Sequence, residues 1–124
     1  MITGFEISLY CRDLNKILQF YIEELNLFQF GNDFGNGQCS IFAEGNPRFT
    51  LFISAQEFYE PSQHIIFSIN VDNIEALHKK YRGMKFNSGG DLISKDRVFE
   101  YPVGRNITLK DPANNLFIIQ QNFS

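Results

Sequence analysis

Few side chains in this sequence combine a reactive type with a patterned position, and Glu6 is the first of them. It lies in a segment where Phe5, Ile7, Leu9 and Cys11 alternate with Glu6, Ser8 and Tyr10. A carboxylate enclosed in an apolar cavity rises in pKa and can take a proton as a general base. At an open mouth, or in a salt bridge, it stays an ordinary anion. The spacing leaves both readings open. His64 begins a second alternating segment, His64–Val71, and could hydrogen-bond or carry a proton near neutral pH. A partly exposed histidine at a strand edge is the plainer alternative. Ser8, Tyr10 and Ser68 could supply the sparse polar contacts of an otherwise apolar ligand site. Glu100 and Arg105 flank the Pro102-Val103-Gly104 turn and could either reach a ligand or form a surface ion pair worth little. His78, beside Lys79 and Lys80, reads as a surface residue of a helix.

Other chemistries lack their residues. There is no Gly-x-Ser-x-Gly nucleophile motif and no cysteine with a convincing histidine partner. Gly89-Gly90 has no following Lys and Ser/Thr, so it is no phosphate loop. Cys11 and Cys39 sit among apolar neighbours without a metal-type spacing, and read as reduced core residues of a cytoplasmic protein. The net charge is −3 and no Lys/Arg run exists, which argues against nucleic-acid binding. No apolar stretch is long enough to span a membrane, and the first residues lack a secretory signal pattern. The 124 residues include fourteen Phe, five Tyr and no Trp. Phe packs well on pleated strands, so this load implies a β-rich core, some of it free to line an apolar ligand cavity.

The elements that would position these groups follow from periodicity. Period two marks Phe5–Cys11 as a strand. Asp13 is a natural N-cap for a helix to about Asn26, with Leu14, Ile17, Leu18, Phe20, Tyr21 and Leu25 at helical spacing. Strands are expected over Leu27–Phe34, Gly37–Ala43 and Arg48–Ser54, broken by Gly35-Asn36-Gly37 and Gly45-Asn46-Pro47. Residues 55–63 read as a polar connector. The pattern then restarts. A strand over His64–Val71 leads to the N-cap Asn73 and a helix ending near Gly83. Strand-like pieces follow at Met84–Phe86 with part of Ile93–Tyr101, at Arg105–Lys110, and at Asn115–Gln121. The order β-α-β-β-β occurs twice, so the chain reads as an α+β duplication in one domain, 1–124. Repeat 1 spans about residues 1–55 and repeat 2 about residues 63–124.

That order, with two local sequences, resembles the vicinal-oxygen-chelate (glyoxalase/bleomycin-resistance/dioxygenase) superfamily. The family's strand, Asp-Leu pair, aromatic-Tyr pair and Leu-Gly-Leu helix end are similar to Asp13-Leu14, Phe20-Tyr21 and Leu25-Asn26-Leu27. Its closing Asp-Pro-Asp-Gly-Asn turn resembles Asp111-Pro112-Ala113-Asn114-Asn115, and a Pro-x-Gly-Arg element resembles Pro102-Val103-Gly104-Arg105. The resemblance implies two βαβββ units whose mixed sheets curl around a cavity, with helices outside. It implies that Glu6, Ser8 and Tyr10, and His64, Ile66, Ser68 and Asn70, face that cavity, with Glu100 and Arg105 near it. A homodimer is also implied.

Metal-dependent members of the family hold one divalent cation at four strand positions. Donors must converge at about 2.0–2.2 Å. Counting from Asp13 puts Glu6 at the first position, and counting from Asn73 puts Ile66 at its equivalent. Counting from Asp111 puts Ile118 at the closing-strand position, and the segment Arg48–Ser54 offers only Thr50 as an oxygen donor. A shifted register could bring in His64. Two donors remain too few for a catalytic centre, so no metal and no other cofactor is expected. Two readings follow. The leading one is a metal-free protein that sequesters a small apolar or aromatic ligand, with a cation suited to the acidic chain. The alternative is a lyase, isomerase or dioxygenase-type enzyme using Glu6 as base or metal ligand.

Overall fold

The computed structural model describes residues 1–123. It comprises two compact units, Met1–Glu60 and Pro61–Ser124, each with one mixed sheet and one principal helix.

In the first unit the order is β1 (Phe5–Cys11), α1 (Leu14–Leu18, running on as a π-helical turn over Gln19–Glu24), β2 (Phe28–Gly35), β3 (Gln38–Ala43) and β4 (Asn46–Ala55). The sheet order is β1-β4-β3-β2, with β1 parallel to β4 and the other pairs antiparallel. Asp13 caps the helix, its carboxylate accepting from the Lys16 N–H at 3.2 Å. The π-turn is closed by the Leu25 N–H donating to the Phe20 carbonyl, five residues back, at 2.8 Å. The helix then stops at Asn26, whose φ of +58° is the left-handed conformation that Gly or Asn adopts most cheaply. This is where the resembling motif carries its glycine. The β2–β3 hairpin turns on Asn36 and Gly37, both at positive φ, between the register partners Gly35 and Gln38. Paired positive φ values match the right-handed twist of the strands, which is why Asn-Gly stands there.

The helix buries Ile17, Phe20, Tyr21 and Leu25, and the sheet buries Leu9, Cys11, Cys39, Ile41, Leu51 and Ile53. Each such aliphatic or aromatic side chain contributes about 1.5–3 kcal/mol on burial. Phe20, Tyr21 and Phe28 add an edge-to-face run, with ring centroids 5.0 and 5.7 Å apart. Alternation along β1 would have its whole odd face packed on the helix. Only Leu9 and Cys11 are covered, whereas Phe5 and Ile7 are exposed.

The second unit contains β5 (Ile65–Asn70), α2 (Ile74–Arg82), β6 (Asp91–Leu92), β7 (Phe99–Tyr101), β8 (Gly104–Lys110) and β9 (Leu116–Asn122). Strand β5 is parallel to β9, β9 is antiparallel to β8, and both β6 and β7 pair with β8. Asn73 caps α2 by accepting from the Ala76 N–H at 3.1 Å. Phe67, Phe117, Ile119, Ile107, Leu109 and Leu92 from the sheet and Ile74, His78 and Tyr81 from α2 are buried. Phe67 and Phe117 stack at 4.9 Å.

Three expectations change here. Met84–Phe86 forms no strand, and the strand expected after α2 is split into the short β6 and β7. The ladder between them is interrupted because the Ser94 hydroxyl takes the Thr108 N–H at 2.9 Å, in place of a backbone carbonyl. His78 is buried, not a surface residue, and its Nε2–H donates to the Ser94 carbonyl at 2.7 Å. Finally, β4 begins at Asn46, so Pro47 belongs to the strand rather than the turn.

Gly104 follows from a close approach. A Cβ there would run into the Gln121 carbonyl oxygen and crowd the Asn122 Cα on β9.

Candidate functional site

Each sheet has one face on its helix and one face open, and register assigns the side chains. In the first unit Glu6, Ser8 and Tyr10 are the lateral partners of Thr50, Phe52 and Ser54 on β4. These in turn pair with Phe42, Ser40 and Gln38 on β3. Residues paired laterally project to the same side, opposite the buried Leu9, Cys11, Leu51 and Ile53. Ser40 and Ser54 share this side but are buried, the Ser40 hydroxyl accepting from the Asn32 N–H at 3.1 Å. The open face therefore carries the rings of Tyr10, Phe42 and Phe52, the hydroxyls of Ser8 and Thr50, and the carboxylate of Glu6. Phe34 joins them from β2, its ring 5.5 Å from that of Phe52. The bulged register of β2 between Phe30 and Gly35 is what brings it round. Phe34 was not singled out from the sequence, since a bulge leaves no mark in alternation. Glu6 and Ser8 are exposed and Tyr10 is 39% exposed, so Glu6 stands on an open surface of its sheet.

In the second unit the open face is polar in a different way. Ser68 is paired with Ile118, which pairs in turn with Thr108, and Asn70 with Gln120, which pairs in turn with Asn106. Gln120 donates its amide to Asn70 at 2.8 Å and accepts from the Tyr101 hydroxyl at 2.9 Å. The Asn122 side-chain oxygen lies 3.3 Å from the same hydroxyl. Asn70, Gln120 and Tyr101 thus form a hydrogen-bonded row beside Ile118 and Ser68.

Two placements depart from the sequence reading. His64 precedes β5 and is exposed, its backbone N–H held by the Ser62 hydroxyl at 3.1 Å. The pairing of β5 with β9 slips between Ile65 and Ser68, so alternation fails at Ile66. Ile65, paired with Leu116, takes the side occupied by Ser68 and Ile118. Glu100 and Arg105 are cross-strand partners, but on the helix side of the sheet, alternating with Asn106 and Tyr101. The Arg105 guanidinium donates to the Glu75 carboxylate on α2 at 2.6 Å. The chain reverses at Pro102-Val103, so a residue's face depends on hairpin register rather than nearness to the turn. An open hollow of about 310 Å³ at this end is lined by Arg105, Gln121, Asn122 and Phe123. It shares only Asn122 with the polar row, and Arg105 is committed to Glu75.

The four metal-bearing positions implied by the resemblance can be tested on chemistry. Glu6 and Thr50 are lateral partners in the first sheet. In the second, Ile118 sits beside Ser68, and the slipped register offers Ile65 or Ile66 where a donor is needed. Hydrocarbon side chains donate no electron pair. Among the described residues no three His, Cys, Asp or Glu side chains gather as a metal-binding group. Of those four positions, Glu6 and Thr50 on the first sheet carry an oxygen, and those on the second sheet carry hydrocarbon.

Both cysteines are buried, and neither is in a disulfide among the described residues. Burial, and then the nearby Asp33 carboxylate, push the Cys39 thiol up. Burial also pushes the Tyr81 hydroxyl up, above its ordinary range. No helix is long and apolar enough to cross a membrane among the described residues.

No protein-family model and no curated protein matches the sequence. Solved structures do match over nearly the whole chain. One is a glyoxalase/bleomycin resistance protein/dioxygenase from Alicyclobacillus acidocaldarius, 19% identical at a TM-score of 0.71, covering 98% of this chain and 92% of that one. A second is an antibiotic binding protein from a Streptomyces species, 16% identical at a TM-score of 0.71, covering 99% and 98%. A third is the fosfomycin resistance protein FosX from Listeria monocytogenes, 20% identical at a TM-score of 0.71, covering 99% and 94%. At these identities the likeness is one of fold, and the fold is that of the glyoxalase/bleomycin-resistance/dioxygenase proteins.

Proposed function

We propose that this protein binds a small, flat, partly apolar molecule without a metal, and does so stoichiometrically rather than by turnover. The observation that carries the reading is the open face of the first sheet. Its rings at Tyr10, Phe34, Phe42 and Phe52 are interleaved with the hydroxyls of Ser8 and Thr50, while those of Ser40 and Ser54 on the same side are buried. Aromatic surface with a few placed polar groups is the usual lining of a small-ligand site. Glu6 is the carboxylate among these positions, so a cationic aromatic is favoured over an anionic one. A fold neighbour described as an antibiotic binding protein supports the same class of role. The protein works as a homodimer in the cytoplasm, where the two buried cysteines stay reduced.

The second reading is an enzyme using Glu6 as base or metal ligand; the exposure of Glu6 withholds the apolar enclosure that a general base needs.

Thermal unfolding separates the two. Samples in EDTA are compared with samples containing Zn²⁺, Ni²⁺, Mn²⁺ or Fe²⁺, and then with planar aromatic cations such as proflavine. A ligand at one hundred times its dissociation constant adds about 2.7 kcal/mol, a rise of several degrees. The binding reading expects a rise with the aromatic cation and none with any metal. A clear rise with one metal would replace it by the enzyme reading.

A further inference from the structure

We propose that Tyr59, in the connector after β4, forms part of the ligand-binding face, and that Arg12 is the residue that positions it. This rests on the binding-protein reading and adds one wall to that face, with the side chain that holds it. The connector leaves β4 with the Gln56 N–H donating to the Cys11 carbonyl at 2.7 Å, so the chain passes the C-terminal end of β1. Arg12 is the next residue. Its guanidinium forks onto the Tyr59 carbonyl, with Nε at 3.2 Å and Nη2 at 3.0 Å. A planar fork on one acceptor fixes direction as well as distance.

The consequence is a ring pair. Tyr59 lies 6.0 Å from Tyr10, centroid to centroid, at an interplanar angle of 35°, within the range of attractive aromatic contacts. Tyr10 projects from the open face, since its neighbours Leu9 and Cys11 are buried on the other side. The adjacent aromatic Phe58 is 86% exposed whereas Tyr59 is half-buried. Of two neighbouring rings in a polar connector, the one whose carbonyl Arg12 holds is turned toward the sheet. Tyr10 has the buried Ser54 as its lateral partner, so this end of the face offers two rings. That suits a planar ring system. Arg12 acts through Tyr59, its fork being engaged by the carbonyl.

The test has a ligand-free arm and a ligand arm. In the free protein, NMR should give a ring-to-ring NOE between Tyr10 and Tyr59 that disappears in R12Q; its absence from the wild type overturns the proposal. In the second arm proflavine is titrated and tyrosine fluorescence followed, which the absence of Trp permits. Y59L should weaken binding about tenfold and Y59F by no more than about twofold, since the ring face rather than the hydroxyl makes the contact. R12Q should weaken binding in the wild-type background and no further in Y59L, as expected for residues acting as one unit. Wild-type affinity in Y59L overturns the role of Tyr59. An equal loss from R12Q in both backgrounds overturns the positioning role of Arg12. If the wild type fails to bind proflavine or any planar aromatic probe, the binding reading falls and the ligand-site role of Tyr59 with it, whereas the NOE pair still decides whether Arg12 places the ring.

Discussion

Asn115 closes on Asp111 with two hydrogen bonds, its backbone N–H at 3.0 Å from one carboxylate oxygen and its side-chain amide at 2.9 Å from the other. The Ala113 N–H adds a third at 2.9 Å. Both residues are fully buried, and Asn114 takes a φ of +65° to let the chain turn around the carboxylate. Asp111→Ala would strip the part-buried N–H of Ala113 and the buried N–H of Asn115 of their acceptor. A loss of about 3 kcal/mol is expected, since each orphaned buried group costs about 1–3 kcal/mol. Urea unfolding checks it: the midpoint should fall with the slope unchanged.

His78→Leu tests the buried histidine. The Ser94 carbonyl would lose its donor at 2.7 Å, at a cost of about 1–3 kcal/mol. A surface histidine would cost almost nothing. A change under about 0.5 kcal/mol in the same unfolding assay would contradict the burial of this side chain.

Arg105→Gln tests which face Arg105 occupies. Its pair with Glu75 is partly exposed, with side chains 30% and 56% accessible, so stability should change by less than about 1 kcal/mol. Proflavine affinity should not change, because the side chain sits on the helix side.

Stability should fall at alkaline pH. Cys39 is raised above 9.0 in the folded state, first by burial and then by Asp33. Tyr81 is raised above 10.0 by burial. A group with a raised folded pKa lends stability that is complete below its unfolded pKa and is lost as pH climbs toward the folded value. Unfolding midpoints should therefore hold steady to about pH 8 and decline above about pH 9. Tyr81→Phe should flatten the decline above about pH 10. An increase in stability above pH 9 would contradict both placements.

The local signals in the sequence were strong where physics is local. Asp13 and Asn73 cap their helices because a short side-chain oxygen reaches an N–H three residues on, which needs no tertiary partner. Asn36-Gly37 and Asp111-Pro112 turn for equally local reasons. Alternation, given the fold, put Glu6, Ser8 and Tyr10 on the side of β1 away from the buried Leu9 and Cys11, and the twofold βαβββ order pointed to the α+β class that the solved neighbours share.

Tertiary structure decided what depends on register and on who sits opposite. The slip in β5 moved Ile65 to the side of Ser68, and the bulge in β2 brought Phe34 onto Phe52. Hairpin pairing sent Arg105 to Glu75 on the helix, and Ser94 ended one ladder and drew His78 inward. Tyr59 came to Tyr10 only because Arg12 grips a carbonyl forty-seven residues on. A period of two says which residues share a side of one strand. It does not say which side faces out once an extra residue enters the ladder, because a one-residue slip turns every later side chain over.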